Sequence, residues 1–552
     1  MRRPVLTLLF LCSLTFFLGL GRQAITDSDE GFYAEAAREM VEGGDWITPH
    51  FNYEERWQKP VLYYWITAAA YVLTGPTEQA ARWWSALSGL GLVLLTWAAA
   101  RRPTPGPAGP GRHVTEEAAW LAGAIVATCF GCFAMARLAL PDLPLAFLVT
   151  LAIWSALEDR WRLAGAAAGL GFAMKGPLAI ALPAMVLVPI WWRERRLQAL
   201  PWREVALAAV IFAVVGLPWY GAMTLQHGVA YLNSFFVGDN LERFATDRFN
   251  EPRPLWFYVP IVIGGMLPWS MYLAVLPWRS IRDLLRRTRQ VSADEWRLLV
   301  WAFVPLLFFT LSIGKQPRYI LPVLPPLGIL LARSLTKRIA AADRPARREL
   351  AIATGATAAL YAAFAVLLLR AQPLFITTAP VLTLTGAAAI AGGALALGSL
   401  AATRRWRALP VTTTACAAVL LLSIQFGALA GRRPEAVEQM AALLRQYRQG
   451  DQPVGLYRVF VRNLAFYSRS AQIDLFGESQ ALDFLKSPDR VLLVVRDVDL
   501  PRLEAMSGVI TQRLGEVQYL NTNNIRVRTV LSPAPSQNLE RVLLVANRAA
   551  GP

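Results

Sequence analysis

The sequence predicts a polytopic α-helical membrane protein with a small α/β domain at its C-terminal end. Three observations predict it. The 552 residues are 55% hydrophobic, with a mean hydropathy of +0.38. Long uncharged runs recur along the chain, and a helix of about 20 apolar residues crosses a bilayer with every backbone group satisfied internally. The last 120 or so residues break that pattern and read as mixed helix and strand.

The apolar runs are 4–21, 61–75, 79–100, 117–137, 143–158, 161–174, 177–192, 204–220, 257–278, 297–314, 319–334, 351–371, 381–402 and 410–430. The second, VLYYWITAAAYVLTG, is short and aromatic. If it lies in the interface, every basic cluster falls in a loop on one side of the membrane. These clusters are 101–113, the turn at Arg160 and Arg162, RERR (193–196), 279–289, 337–348 and RRWR (404–407). If it crosses, all of them fall on the other side. The positive-inside rule therefore predicts thirteen spans, an interfacial helix at 61–75, a cytoplasmic N-terminus and an outward C-terminus. Met1-Arg2-Arg3 before Val5–Leu20 is signal-like without a clean cleavage site, and reads as an uncleaved first span.

The expected domains are a membrane domain over 1–430, with outward loops at 22–78 and 221–256, and a soluble domain over 431–552. The latter carries 16 Arg+Lys against 12 Asp+Glu. Residues 435–448 read as an amphipathic helix, 454–459 and 490–495 as strands with a helix near 479–487 between them, and 524–531 as a late strand. The net charge of +17 belongs to membrane topology and anionic lipid rather than to nucleic acid. Cys12, Cys129, Cys132 and Cys416 all fall in apolar runs, as small packing residues. Nineteen Trp and fifteen Tyr suit interfacial belts.

This topology gathers polar residues on the outward face. Asp27, Asp29, Glu30, Glu35 and Lys59 stand in the first loop. Arg82 lies at the outer end of its span, and Arg137 and Asp142 flank a short turn. Lys175 sits in MKGP, Arg243 in the 221–256 loop, and Lys315, Arg318 and Tyr319 in GKQPRY. Each basic residue alone could snorkel. Together they run against the positive-inside trend, and charges near membrane depth tend to mark sites. Lys175 and Lys315 precede Gly-Pro and Gln-Pro, breaks tolerated only inside protein or a wet cavity. Several cations at headgroup depth suit a lipid-linked phosphate, each charge-assisted contact contributing ~1.5–3 kcal/mol. No Walker loop and no Gly-x-Gly-x-x-Gly after a strand occurs. An outward site without ATP needs an activated, lipid-borne donor. The Asp27-x-Asp29-Glu30 cluster reads either as the capped start of a helix over Gly31–Val41 or as carboxylates serving as base or sugar partner. His50, His113 and His227 lack ligand spacing. His50 and His227 are candidates for an incidental divalent ion.

TDSDEGFYAEAAREMVEGGDWITPHFN (26–52), QKPVLYYWITAAAYVLTG (58–75), MKGPLAIALP (174–183) and GKQPRYILPVLPPL (314–327) resemble the polyprenyl-phosphate-sugar glycosyltransferases of the membrane GT-C fold. The resemblance covers nearly the whole chain. Within that family it points to the bacterial branch that moves 4-amino-4-deoxy-L-arabinose from undecaprenyl phosphate to lipid A. The resemblance implies that activity, resistance to cationic antimicrobial peptides, an inner-membrane location with a periplasmic C-terminal domain, and a monomer needing no cofactor. It implies catalytic Asp29 with Glu30, and donor-phosphate contacts at Lys59, Lys175, Arg318 and Tyr319; Arg243 joins them by position. Sugar or acceptor contacts are expected from Asp27, Gln58, Arg82, Arg137, Asp142 and Lys315. Two positions depart from the family's patterns. Phe32 stands where DE-x-R-Y has arginine, and Gln58 where FEKP has glutamate.

Two other functions fit parts of this pattern. A protein O-mannosyltransferase of the same fold would transfer to a Ser or Thr hydroxyl and would need Asp29 as base. A lipid transporter or flippase would need polar residues through the membrane thickness, and few charges lie at mid-span.

Overall fold

The computed structural model describes residues 2–101, 116–242, 246, 253–276, 278, 282, 292–341, 343–375, 378–521 and 526–548. Each of the thirteen expected runs is occupied by helix. Five helices are long and apolar enough to cross a membrane alone, three more candidates are bent pairs, and three are shorter apolar helices. Trp161–Lys175 and Ala293–Leu311 fill the remaining two runs. The chain is a multi-pass membrane protein.

Three expected spans are not straight. The 117–137 run breaks at Cys129 into Glu116–Thr128 and Phe130–Ala136, bent by 57°. The 204–220 run breaks ahead of Pro218 by 46°. The 257–278 run turns by 114° between Gly265 and Trp269, so it reverses direction instead of spanning as one rod. Pro268 removes a backbone donor there, and a proline disfavours the helical region for the residue before it. Two of the breaks satisfy each other: the Phe130 N–H donates to the Leu267 carbonyl at 2.8 Å. Gly131 makes this approach possible, since a Cβ there would stand 3.3 Å from the Gly265 Cα. Freed backbone groups in an apolar surrounding need such partners.

Residues 62–74 form a 13-residue helix, about 20 Å long and well short of the ~30 Å hydrocarbon core. It packs between the helices Asp29–Gly43 and Glu78–Arg101 and buries Tyr63, Tyr64 and Tyr71. Tyr63 donates to Ala81 O at 3.3 Å and pairs with Ser85 Oγ at 3.1 Å.

The first-loop helix runs from Asp29 to Gly43, two residues earlier than its sequence suggests, because Ser28 caps it by accepting from the Glu30 N–H at 3.3 Å. Gly44, at φ 69°, ends it in the left-handed conformation.

The C-terminal domain is a five-stranded sheet in the order 473–475, 454–457, 492–496, 539–546, 512–520. The first three strands are parallel, and 539–546 runs antiparallel to both of its neighbours. Helices 436–447 and 478–485 stand close to their expected places. The expected late strand at 524–531 does not form: Val527–Leu531 is a short helix against Arg344–Ala371, and 522–525 lie outside the described residues. The late strand is Leu539–Ala546, whose Val542–Ala546 end is buried in the middle of the sheet.

The C-terminal sheet domain is hydrogen-bonded to the first loop. Ala24 N–H donates to Glu435 at 2.8 Å, Ile25 N–H to the Tyr467 hydroxyl at 2.8 Å, and Asn463 Nδ2 to Ile25 O at 2.8 Å. Asn52 and Gln472 exchange amide bonds at 2.7 and 2.8 Å.

Candidate active site

Two helix N-termini, one helix C-terminus and the start of a 3₁₀ turn meet beside the first loop. Asp29 opens the helix Asp29–Gly43 and Asp142 opens Asp142–Leu157, so each carboxylate sits at the positive end of a helix dipole. Lys175 ends Trp161–Lys175, where Gly176 (φ 82°) and Pro177 stop the helix. Arg318 enters from the 3₁₀ turn Pro317–Val323 that Pro317 initiates.

Arg318 joins both carboxylates. Its Nη2 donates to Asp29 Oδ2, and its Nε stands 3.3 Å from Asp142 Oδ2. Lys175 Nζ donates to Asp142 Oδ1 at 2.5 Å and lies 5.3 Å from the Tyr319 ring centroid. Burial pulls the Asp29 pKa upward, but the charges of Arg318, then Arg462 and Arg56, outweigh it and hold this carboxyl below its usual range. Asp29 is therefore ionised at neutral pH.

Arg56 and Arg462 were not legible as site residues. Arg56 is an ordinary loop arginine in sequence. Arg462 lies in the C-terminal sheet domain, and nothing in its local pattern connects it to Asp29. In the fold Arg462 Nη1 is 4.0 Å from Asp29 Oδ1. Both guanidinium groups lie over the ring of Phe32, at 4.1 Å for Arg56 and 5.3 Å for Arg462. Four cationic side chains thus surround two carboxylates.

Other expected site residues serve different partners. Glu30 is fully buried and paired with Arg82. It accepts from Arg82 at 2.7 and 3.0 Å, from the Ala139 N–H at 2.9 Å, and from the N–H and hydroxyl of Thr26 at 3.0 Å. Arg82 uses its remaining donors on Leu20, Gln23 and Ala24 carbonyls. Arg137 donates to the carbonyls of Thr15, Phe16 and Gly19. Lys315 donates to Ser312 O and to Arg253 O. Glu30, Arg82, Arg137 and Lys315 therefore build the scaffold behind the cluster rather than its open face. Asp27 accepts from the Arg462 N–H at 2.8 Å and so ties the first loop to the C-terminal sheet domain. Glu35 pairs with Arg38 inside the same helix.

Gln58 lines a cavity of about 500 Å³ with Asn233, Ser234, Val237, Gly238, Asp239 and Glu242, and Lys59 follows it in the chain. Arg243 and His113 lie outside the described residues. His227 bonds Thr48 at 2.8 Å and lies 3.7 Å from Glu55. Among the described residues, no group of three or more His, Cys, Asp or Glu is arranged to hold a metal.

A family model described as dolichyl-phosphate-mannose-protein mannosyltransferase matches residues 24–227. The undecaprenyl phosphate-alpha-4-amino-4-deoxy-L-arabinose arabinosyl transferase of Aeromonas salmonicida (strain A449) is 34% identical over 341 residues, covering 60% of this chain and 59% of that one. The protein of the same name from Pseudomonas aeruginosa (strain LESB58) is 34% identical over 355 residues, 61% of each. The aligned region thus spans about three fifths of the length of these relatives. The crystal structure of ArnT from Cupriavidus metallidurans bound to undecaprenyl phosphate superposes with a TM-score of 0.72 over 99% of both chains, at 23% identity. Its apo form gives 0.71. The chain therefore shares the fold of these two crystal structures over nearly its whole length.

Proposed function

We propose that the chain is a glycosyltransferase that moves 4-amino-4-deoxy-L-arabinose from undecaprenyl phosphate to a phosphate of lipid A. The reaction takes place at the periplasmic face of the bacterial inner membrane. The observation that carries this reading is the state of Asp29, ionised and already engaged by Arg318. Such a carboxylate is a poor proton acceptor. A Ser or Thr hydroxyl needs a base, whereas a phosphate monoester, with a second pKa near 6, is already anionic at neutral pH. The named relatives and the cationic cluster support the same donor.

In this reading the bond from the sugar C1 to the polyprenyl phosphate oxygen breaks, and a lipid A phosphate oxygen forms the new bond to C1. Lys59, Lys175 and Arg318 stabilise the phosphate charge that develops on the leaving group. Asp29 and Asp142 fix Arg318 and Lys175 between them, and Asp29 offsets positive charge on the sugar. Charge stabilisation is assigned to Lys and Arg side chains, with no resident cofactor. The product would raise resistance to cationic peptides. The acting unit is a monomer.

Mass spectrometry of lipid A from cells carrying Asp29→Asn or Lys59→Ala tests this. Both are expected to lose at least nine tenths of the aminosugar adduct; full modification in both would remove the site. The pH profile gives a second check. Asp29 stays charged through the range from pH 5 to 8, so kcat/KM should decline only below about pH 6, where the acceptor phosphate takes up its second proton. An acid limb that moves on Asp29→Glu would make Asp29 the titrating base.

The mannosyltransferase description of the matching family model favours one second reading, transfer of mannose to protein. Supplying purified enzyme with lipid A and with a Ser/Thr-rich peptide, each with its matching donor, separates the two.

A further inference from the structure

The stack at Phe32 brings two arginines from distant parts of the chain to one point. Arg56 comes from the first loop and Arg462 from the soluble domain. Their guanidinium groups lie 4.1 and 5.3 Å from the same ring centroid. Like charges repel, and the ring can offset only part of that repulsion. Asp29 offsets more, with Arg462 4.0 Å away, but Asp29 is already bonded to Arg318. The Arg56 Nε is shielded from solvent and has no hydrogen-bond acceptor among the described residues. A buried donor of this kind is costly unless something completes it.

The backbone that carries Arg462 is held unusually close. A Cβ on Gly31 would stand 2.2 Å from the Arg462 carbonyl oxygen and 2.6 Å from its carbonyl carbon. The Arg462 N–H is fixed on Asp27 at 2.8 Å. Arg458 and Phe460, just before it, both adopt positive φ, 57° and 56°. Non-glycine residues hold such conformations only where surrounding contacts enforce them. The soluble domain thus presents Arg462 at a defined place beside Asp29.

We propose that Arg56 and Arg462, stacked on Phe32, form a phosphate-binding fork built jointly by the first loop and the soluble domain. The ligand is the phosphate of a membrane lipid. Guanidinium groups suit it because their forked donors match phosphate oxygens. The fork also supplies cationic charge beside Phe32. Resting on the proposed glycosyl transfer, the phosphate belongs either to the polyprenyl donor or to the lipid A acceptor.

The test measures binding, not transfer, on the full-length protein in nanodiscs. The probes are undecaprenyl phosphate, lipid A, and phosphate-free undecaprenol. Arg56→Ala and Arg462→Ala are each expected to weaken one phosphate lipid by at least tenfold, leaving undecaprenol unchanged. The lipid that weakens identifies the source. Arg462→Lys should recover part of the loss, and Arg502→Ala, an exposed arginine of the same domain paired with Glu478, should lose nothing. Gly31→Ala, which displaces the Arg462 backbone, should match Arg462→Ala. Unchanged binding of both phosphate lipids in Arg56→Ala and Arg462→Ala overturns the proposal, as does a parallel loss of undecaprenol. Fork-dependent binding by a wild-type protein that transfers no sugar would instead overturn the glycosyltransferase reading and leave the fork standing.

Discussion

Arg318→Ala is expected to reduce transfer by at least about 100-fold, the scale seen when one preorganised donor is removed from a charged transition state. The expectation follows from its two partners. Arg318 is the cation shared by Asp29 and Asp142. Without it the two carboxylates face each other with Lys175 attached to only one of them. Their mutual repulsion and the lost phosphate contact act in the same direction. Arg318→Lys keeps a charge but not the fork that reaches both carboxylates, so it should recover only a small part. Single-turnover rates at saturating donor and acceptor measure this directly. A KM change with unaltered kcat would mean that Arg318 serves ground-state binding alone.

The second large effect concerns folding. Arg82→Met should destabilise the protein by about 3–5 kcal/mol, because it leaves the fully buried Glu30 charge without its partner. The carbonyls of Leu20, Gln23 and Ala24 lose their donor as well. The double variant Glu30→Gln with Arg82→Met removes the stranded charge and should recover part of the loss, giving a coupling measurable in a double-mutant cycle. Thermal unfolding in detergent reads wild type, the single variants Glu30→Gln and Arg82→Met, and the double variant. Equal stability of Arg82→Met and wild type would mean that the pair does not anchor the first loop.

These two residues also mark what the sequence could and could not reveal. Sorting charges by side of the membrane brought Asp29, Asp142, Lys175 and Arg318 to one face, because loop charge and apolar run length are properties of composition. Pairing was hidden. Asp29 and Glu30 are adjacent in a single acidic string, yet consecutive helix positions diverge by about 100°. One therefore reaches Arg318 and the other is turned inward to Arg82. Arg462 could not be found at all from local pattern, since its place depends on how a separate domain docks.

The helix breaks were hidden for a similar reason. Pro183 and Pro189 sit within the continuous helix Leu178–Arg193, while Pro268 lies at a 114° turn. The residue type is the same; neighbouring helices decide whether the freed groups find partners. In the C-terminal sheet domain, residues 524–531 carry a strand-like alternation, but the strand forms at Leu539–Ala546, where both sheet neighbours are available.

The bond between Phe130 and Leu267 has a consequence for biogenesis. The donor is synthesised first, and its acceptor follows roughly 140 residues later, about 7–30 s at ordinary elongation rates. During that interval an unpaired N–H in lipid would cost several kcal/mol. The first broken helix is therefore expected to wait in a hydrated or protein-lined place until its counterpart emerges, so that the two halves of this pair enter the bilayer core as one event.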